Sequence, residues 1–258
     1  MILGILQARA NSSRLPNKIL LKIKEKTILE YELERILKSI EINKIIVATT
    51  TNKKDDEIVK ICEKMKIEYY RGSENDVLHR FKMASDTTNA KTIVRLNSDC
   101  PLLDPLLIDD TIRLFLTSEY DYVSTLFPKT GSYPDGMSVE VFSKNLLDKI
   151  FLESKKPSER EHVTPLIWNN PQKFKIKRME NKKNLSKYRF CLDYEEDFHL
   201  IKHVIENLLL SKPNFKLDEL IEWMEQNPDA FKINSEIKSD EGWEKSIRKD
   251  KLAGFNQL

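Results

Sequence analysis

Glycine is scarce in this chain: six in 258 residues, at positions 4, 72, 131, 136, 242 and 254. That spacing excludes a G-x-G-x-x-G dinucleotide loop. Gly131 and Gly136 have the spacing of a phosphate-cradling G-x-x-x-x-G-K-[ST] loop, but Met137 stands where lysine is required. Any phosphorylated ligand must therefore be held largely by side chains. Cysteine is sparser still. Cys62, Cys100 and Cys191 are odd in number and no two form C-x-x-C. This argues against a disulfide framework or a structural zinc site and points to a reducing, cytoplasmic compartment. No apolar run approaches the ~20 residues that span a bilayer. The N-terminal Met1-Ile-Leu-Gly-Ile-Leu-Gln7 lacks the basic flank and length of a signal peptide and reads as a buried strand. Charge of one sign is lacking too: 43 basic against 41 acidic residues leave +2, which argues against a protein built to coat nucleic acid.

What is present is a regular alternation. Strand-like runs at residues 2–7, 44–49, 67–70 and 92–96 are separated by helical-period stretches at 27–39, 55–65 and 76–86. Strand and helix in this order predict a right-handed, mainly parallel α/β sheet flanked by helices. Beyond residue 120 the pattern loosens. Half-buried strands are expected at 120–125 and 137–142, joined by the Pro/Gly-rich link 128–136. Helices are expected at 144–153, 158–168 and 195–210, with strands at 173–179 and 188–192. Pro213 ends the last helix, and residues 214–258 carry seven basic and ten acidic residues. The organisation expected is one domain over 1–212 and a small helical C-terminal extension over 213–258.

Three segments could carry chemistry. The first is Gln7-Ala-Arg-Ala-Asn-Ser-Ser-Arg-Leu-Pro-Asn-Lys18, directly after the first strand, where open parallel sheets bind ligands. Residues 1–26 hold six basic groups against one acid, so the charge is concentrated around this loop. Arginine offers planar bidentate donors to phosphate and lysine a mobile point charge, while Ser12, Ser13 and free amides could complete an anion nest. A solvated basic loop with no ligand is the plainer alternative. The second segment is Arg95-Leu-Asn-Ser-Asp-Cys-Pro-Leu-Leu-Asp104. Asp99, at a strand end facing a polyphosphate, suits Mg²⁺, which takes one or two carboxylates plus phosphate oxygens. A turn or cap aspartate is equally open, and Asp104 before Pro105 fits a cap. The third is Cys191-Leu-Asp-Tyr-Glu-Glu-Asp-Phe198, where Asp193 ends an apolar run before a helix whose first turn is acidic. Acids there also suit a helix N-terminus without any ligand.

Together these segments closely resemble the sugar-activating cytidylyltransferases, the superfamily of CMP-sialate and CMP-KDO synthetases. The nearest branch is the spore-coat-polysaccharide (SpsF-like) type. Arg71-Gly-Ser-Glu-Asn-Asp-Val-Leu-His-Arg80, Pro134-Asp-Gly-Met-Ser-Val-Glu-Val-Phe142 and Ser158-Glu-Arg-Glu-His-Val-Thr-Pro165 carry that likeness further. The matches run in order from residue 2 to about 205. The resemblance implies a nucleotide-diphosphosugar-transferase-like (GT-A, Rossmann-like) fold and transfer of CMP from CTP with release of pyrophosphate. It implies that Arg9, Arg14 and Lys18 hold the triphosphate, with Ser13 in the same loop, and that Gln7 and Ala8 lie near the base. Asp99 and Asp193 would bind Mg²⁺, and Arg9, Lys18 and Asp99 would carry the catalysis. Arg71, Ser73, Asp76 and Arg95 would complete the nucleotide site. Asp135, Glu140, Arg160 and His162 would lie near the acceptor, a sugar acid or phosphorylated compound, or at a dimer contact. Residues 127–187 would form the acceptor and dimerisation insertion of a homodimer. Asn17 and Ser98 replace glycines common in relatives, but both residues tolerate tight turns.

Other signals carry less. His199 and His203 lack the glutamate of a zinc-protease helix, and Cys62 and Cys191 read as packing residues. Trp168, Trp223 and Trp243 read as core or interface anchors. Two further functional readings stay open: a sugar-1-phosphate nucleotidyltransferase using another nucleotide, and a non-catalytic nucleotide-binding scaffold. The first would normally begin with a glycine-rich loop that this chain lacks, and the second would be expected to have lost the metal acids.

Overall fold

The computed structural model describes residues 1–127, 131–237 and 241–255. Part of the expected Pro/Gly-rich link (128–130) and of the C-terminal extension (238–240 and 256–258) lies outside the described residues. The strands are β1 (Ile2–Gln7), β2 (Lys22–Ile23), β3 (Lys26–Thr27), β4 (Lys44–Thr50), β5 (Glu68–Gly72), β6 (Thr92–Asn97), β7 (Tyr122–Ser124), β8 (Glu140–Ser143) and β9 (Ile176–Arg178). The helices of the first half are α1 (Ile28–Ile36), α2 (Asp56–Met65), α3 (Val77–Asp86) and α4 (Pro105–Leu116). Those of the second half are α5 (Lys144–Glu153), α6 (Pro157–His162), α7 (Pro165–Trp168), α8 (Glu195–Val204), α9 (Leu217–Gln226), α10 (Pro228–Lys232) and α11 (Glu241–Leu252).

Seven strands form one sheet in the order β5-β4-β1-β6-β8-β7-β9. β5, β4, β1 and β6 are parallel, β8 runs antiparallel to both β6 and β7, and β9 is parallel to β7. The mainly parallel α/β sheet is as expected. Because side chains alternate across a strand, Ile45 and Val47 of β4 join one apolar layer while Ile46 and Ala48 join the other. Both layers are covered by helices, as a parallel sheet buried on both faces requires.

Several boundaries differ from the sequence reading, each for a local reason. The strand expected at 137–142 is shorter. The Thr125 hydroxyl donates to the Met137 carbonyl (2.6 Å) and accepts from the Val139 amide (2.9 Å), replacing ladder bonds. The helix expected over 158–168 breaks at Val163, held at φ 71°, and Pro165 starts a new turn. The strand expected at 188–192 is reduced to a single bridge between Asp135 and Arg189. α4 was foreshadowed only by its cap: the Asp104 carboxylate accepts from the Leu106 amide at 2.9 Å.

The C-terminal segment folds back on the sheet layers. α9 and α10 pack beside α8, and their Leu217, Leu220, Ile221, Met224 and Ala230 join the larger apolar core. α11 lies against α6, tied by its buried Asp250, which accepts from the Ser158 amide (2.8 Å) and hydroxyl (2.5 Å). Among the described residues no helix is long and apolar enough to cross a membrane.

Candidate active site

At the carboxyl ends of β1 and β6 the chain leaves the sheet in two loops that face each other. The first, residues 8–17, closes on itself where the Asn17 amide donates to the Ala10 carbonyl (3.0 Å). Asn17 takes the left-handed conformation (φ 56°), which asparagine tolerates better than most residues. Buried Asp55 pins the loop from below, accepting from the Ala10 amide (2.7 Å) and the Thr50 amide (3.2 Å). The loop delivers Lys18 to the start of a short turn. The second loop is tied to the first by the Ser98 amide on the Gln7 carbonyl (3.2 Å), and to the third segment by the Leu192 amide on the Asp99 carbonyl (2.8 Å).

The three chemistry-bearing segments therefore meet. Lys18 Nζ donates to Asp99 Oδ2 at 2.7 Å and to Asp193 Oδ1 at 2.9 Å. Arg14 reaches the same Asp193 oxygen at 2.5 Å, and Arg189 Nη2 lies 3.2 Å from its other oxygen. Arg189 is itself held by buried Asp197, through Nε (2.9 Å) and Nη2 (3.1 Å), and it also pairs with Asp135. Burial acts to lower the Lys18 pKa, but the charges of Asp99 and Asp193 outweigh it and hold the ammonium above its ordinary value. Burial likewise tends to raise Asp193, yet Lys18 and Arg14 keep its carboxyl well below the usual range. Both groups are charged at neutral pH.

A cleft of about 630 Å³ opens over this cluster. Gln7, Ala8, Arg9, Ser13, Arg14, Lys18, Asp99, Asp193, Arg160 and His162 line it, all of them expected from sequence. Arg9 makes no ion pair or side-chain hydrogen bond among the described residues, so its guanidinium is available to a ligand. A smaller cavity of about 230 Å³ adjoins, lined by Arg95, Asp135, His162 and Arg189 and by the rings of Phe127, Trp168, Tyr194 and Trp243.

Other expected residues lie behind these walls. Arg71 bonds the carbonyls of Thr50 (2.8 Å) and Asn52 (2.9 Å) and pairs with Asp56, so it braces β4 against β5. The Ser73 hydroxyl accepts from the Asp76 amide (3.1 Å). Asp76 in turn caps α3 at the His79 amide (2.9 Å) and accepts from Arg160 Nε (3.0 Å). Their neighbours Glu74, Asn75 and Arg80 reach the cleft instead. Glu140 is fully buried, bonded to Arg95, the Tyr122 hydroxyl and the Thr164 hydroxyl, and lines neither cavity. It orients Arg95, which also reaches Gln7 Oε1 at 3.2 Å.

Sequence reasoning expected helix in the C-terminal extension but assigned neither α11 nor Asp55, Arg80 or Arg189 to the site. Arg189 sits four residues before Asp193, a spacing that could have flagged it. α11 supplies Gly242, Lys245, Ser246 and Lys249 to the cleft and Trp243 to the smaller cavity. Trp243 packs on Trp168 (ring centroids 4.8 Å apart) and edge-on to His162 (5.4 Å). His162 Nε2 lies 2.8 Å from the Ser246 hydroxyl. Burial drives the His162 pKa down to about 4; Glu161 opposes this, while Arg95, Lys249 and Arg9 add to it.

Asp99 and Asp193 share the Lys18 ammonium, and Asp193 also holds Arg14 and Arg189, so the two carboxylates already form a place shaped for positive charge. A divalent metal fits that donor set, with hard oxygens on two facing loops.

An α/β sheet with a basic loop and paired aspartates at its carboxyl edge is the scaffold on which nucleotide-handling transferases are built, and comparison specifies the family. The cytidylyltransferase family model matches residues 3–237, and the chain belongs to that family. It is 39% identical over 239 residues to an uncharacterized protein of Methanocaldococcus jannaschii, covering 92% of this chain and 96% of that one. It is 31% identical to the spore coat polysaccharide biosynthesis protein SpsF of Bacillus subtilis, covering 89% and 96%. The structure of a cytidylyltransferase from Leptospira borgpetersenii superimposes with a TM-score of 0.84 at 35% identity, covering 89% and 96%.

Proposed function

We propose that this enzyme transfers CMP from CTP to a small anionic acceptor, a sugar acid or a phosphorylated compound, in surface polysaccharide or glycan synthesis. The observation that carries the reading is the meeting of Arg9, Arg14 and Lys18 with Asp99 and Asp193 across one cleft. An acceptor oxygen bonds to the α-phosphorus as the bond to the bridging oxygen breaks, and pyrophosphate leaves in line. Arg9 is free to bind the triphosphate at once. Arg14 and Lys18 are held on the aspartates and can pass to the phosphates when nucleotide enters. The cations then sit where the leaving pyrophosphate gains charge, so electrostatics and positioning supply the acceleration. Asp99 and Asp193 would hold Mg²⁺, which when bound neutralises charge at the α-phosphate.

The smaller cavity supports a compact acceptor. Trp168, Trp243, Phe127 and Tyr194 offer apolar faces to a ring, and Arg95 and Arg189 offer donors to an acidic group. His162, which lines both cavities, would lie beside the acceptor and offer its ring to an acceptor hydroxyl. A cytoplasmic homodimer belongs to the same reading, with contacts through 127–187, where Leu152 is 78% exposed. Sedimentation of the purified protein tests the dimer.

The decisive assay incubates the protein with Mg²⁺, each of the four nucleoside triphosphates and a panel of sugar acids and sugar phosphates. Pyrophosphate release with CTP alone supports the reading. Release with UTP or ATP alone refutes the cytidylyl assignment, and no release with any pair refutes the activity.

A further inference from the structure

The sequence spacing of the cysteines excludes a zinc site built from C-x-x-C pairs, but the fold brings two of them together. Cys100 and Cys191 are 3% and 9% exposed, and both are free thiols. One Asp99 oxygen and the two sulfurs lie within 4.8 Å of one another. Cys100 Sγ is 3.6 Å from Asp99 Oδ1, and Cys191 Sγ is 3.8 Å from Asp193 Oδ2. A tetrahedral ion with metal–sulfur bonds of about 2.3 Å and metal–oxygen bonds of about 2.1 Å has sulfur–sulfur edges near 3.8 Å and sulfur–oxygen edges near 3.6 Å. The Asp99–Cys100 spacing equals such a sulfur–oxygen edge, and all three donor atoms already lie within 4.8 Å, so small side-chain adjustments bring them onto one ion.

Glu32, fully buried on α1, lies beside Asp99 and Cys100 and adds a further carboxyl group to this polar pocket. Asp99 and Cys191 both line the smaller cavity, so a fourth position can be filled by water or a ligand atom. Three protein donors and one open position is the pattern of accessible zinc sites, and sulfur selects thiophilic ions over Mg²⁺.

We infer that Asp99, Cys100 and Cys191 form a binding site for a thiophilic divalent cation such as Zn²⁺. Two thiol protons pass to solvent as the two metal–sulfur bonds form, with no oxidation. Because Asp99 is shared, a soft cation on its Oδ1 competes for the charge of that carboxylate with Lys18 on Oδ2 and with any Mg²⁺. The site is thus a point at which zinc opposes magnesium.

The test titrates the full-length reduced protein with Co²⁺ as the spectroscopic probe, in excess Mg²⁺. One equivalent should produce a sulfur-to-cobalt charge-transfer band with tetrahedral visible bands, and Zn²⁺ should bleach both. Cys100→Ser and Cys191→Ser should each lose the charge-transfer band at one equivalent, whereas Cys62→Ser should keep it. Asp99→Asn should weaken Co²⁺ binding by about tenfold or more. Circular dichroism establishes that each variant is folded; if one serine variant is not, the wild type and the other variant still decide. Absence of the band in the wild type overturns the proposal. So does a band that persists in a folded Cys191→Ser protein or disappears in Cys62→Ser. The readout is metal binding, so it stands whether or not CTP proves to be the substrate.

Discussion

Replacing Lys18 with methionine removes the charge that holds the cleft together while keeping an unbranched apolar stem. In the native site Nζ lies 2.7 Å from Asp99 and 2.9 Å from Asp193, and the side chain is 11% exposed. Two unit charges about 4 Å apart interact by roughly 4 kcal/mol at an effective dielectric near 20, and breaking a buried pair costs about 3–5 kcal/mol. Asp193 keeps Arg14 and Arg189 in the variant. Asp99 keeps no other cation among the described residues, but it is 25% exposed and water recovers part of the loss. The expected destabilisation is therefore about 2–3 kcal/mol, or roughly 4–12 °C in melting temperature for a domain of this size. The Lys18 pKa is raised in the folded state, so this stability is fully present below about 10.4, its unfolded value, and is lost only as pH rises through the higher folded value. Calorimetry at pH 7 thus sees all of it. Added Mg²⁺ should recover part of the loss in K18M and raise the wild type less, because a dication can replace the ammonium between the carboxylates. If K18M melts with the wild type, with or without Mg²⁺, then Lys18 is not what neutralises the two aspartates and the cation-site reasoning fails.

Asp99→Asn should lower CTP turnover by at least about 10²-fold while leaving the melting temperature within a few degrees, since the amide keeps the turn; full activity in that variant removes Asp99 from the mechanism. His162 should titrate near pH 4 by NMR. Its lowered pKa means that the neutral ring contributes stability above its unfolded value of about 6.5, lost as pH falls through 4, so His162→Asn should show less acid destabilisation in that window. A His162 ring that titrates at its ordinary value contradicts the burial described. Gly136→Ala should cost about 2–4 kcal/mol in urea unfolding, because Gly136 has φ +91° and a Cβ there would lie 2.4 Å from the Phe190 carbonyl carbon. A neutral result means that the 134–137 turn can move away from Phe190.

Much of the first half was legible. Ile2–Gln7, Lys44–Thr50 and Thr92–Asn97 are apolar runs of strand length, and a strand buried on both faces needs little else. The second half was harder because its elements end on side-chain bonds. Thr125 replaces ladder bonds near Val139, and Asp197 holds Arg189 where a strand was expected. Among the expected nucleotide residues, Gln7, Arg9, Arg14 and Lys18 do line the cleft, whereas Arg71, Ser73 and Asp76 brace it from behind. Residue type and loop position identify polar groups near a sheet edge. They do not say whether such a group faces ligand or backbone.

By itself the sequence determined the alternating elements, the basic loop after the first strand and the aspartates at two later turns, because each depends on neighbours within a few residues. Tertiary structure alone decided that Lys18 bridges Asp99 and Asp193, 81 and 175 positions away. It also decided that α11 walls the cleft. This helix buries only Ser246 and Asp250, so no apolar stripe announces its docking. Likewise, Cys100 and Cys191 look unrelated along the chain, yet they meet because the Asp99 carbonyl accepts the Leu192 amide. Contacts of that range are set by how the sheet stacks its loops at one edge, and no local pattern encodes them.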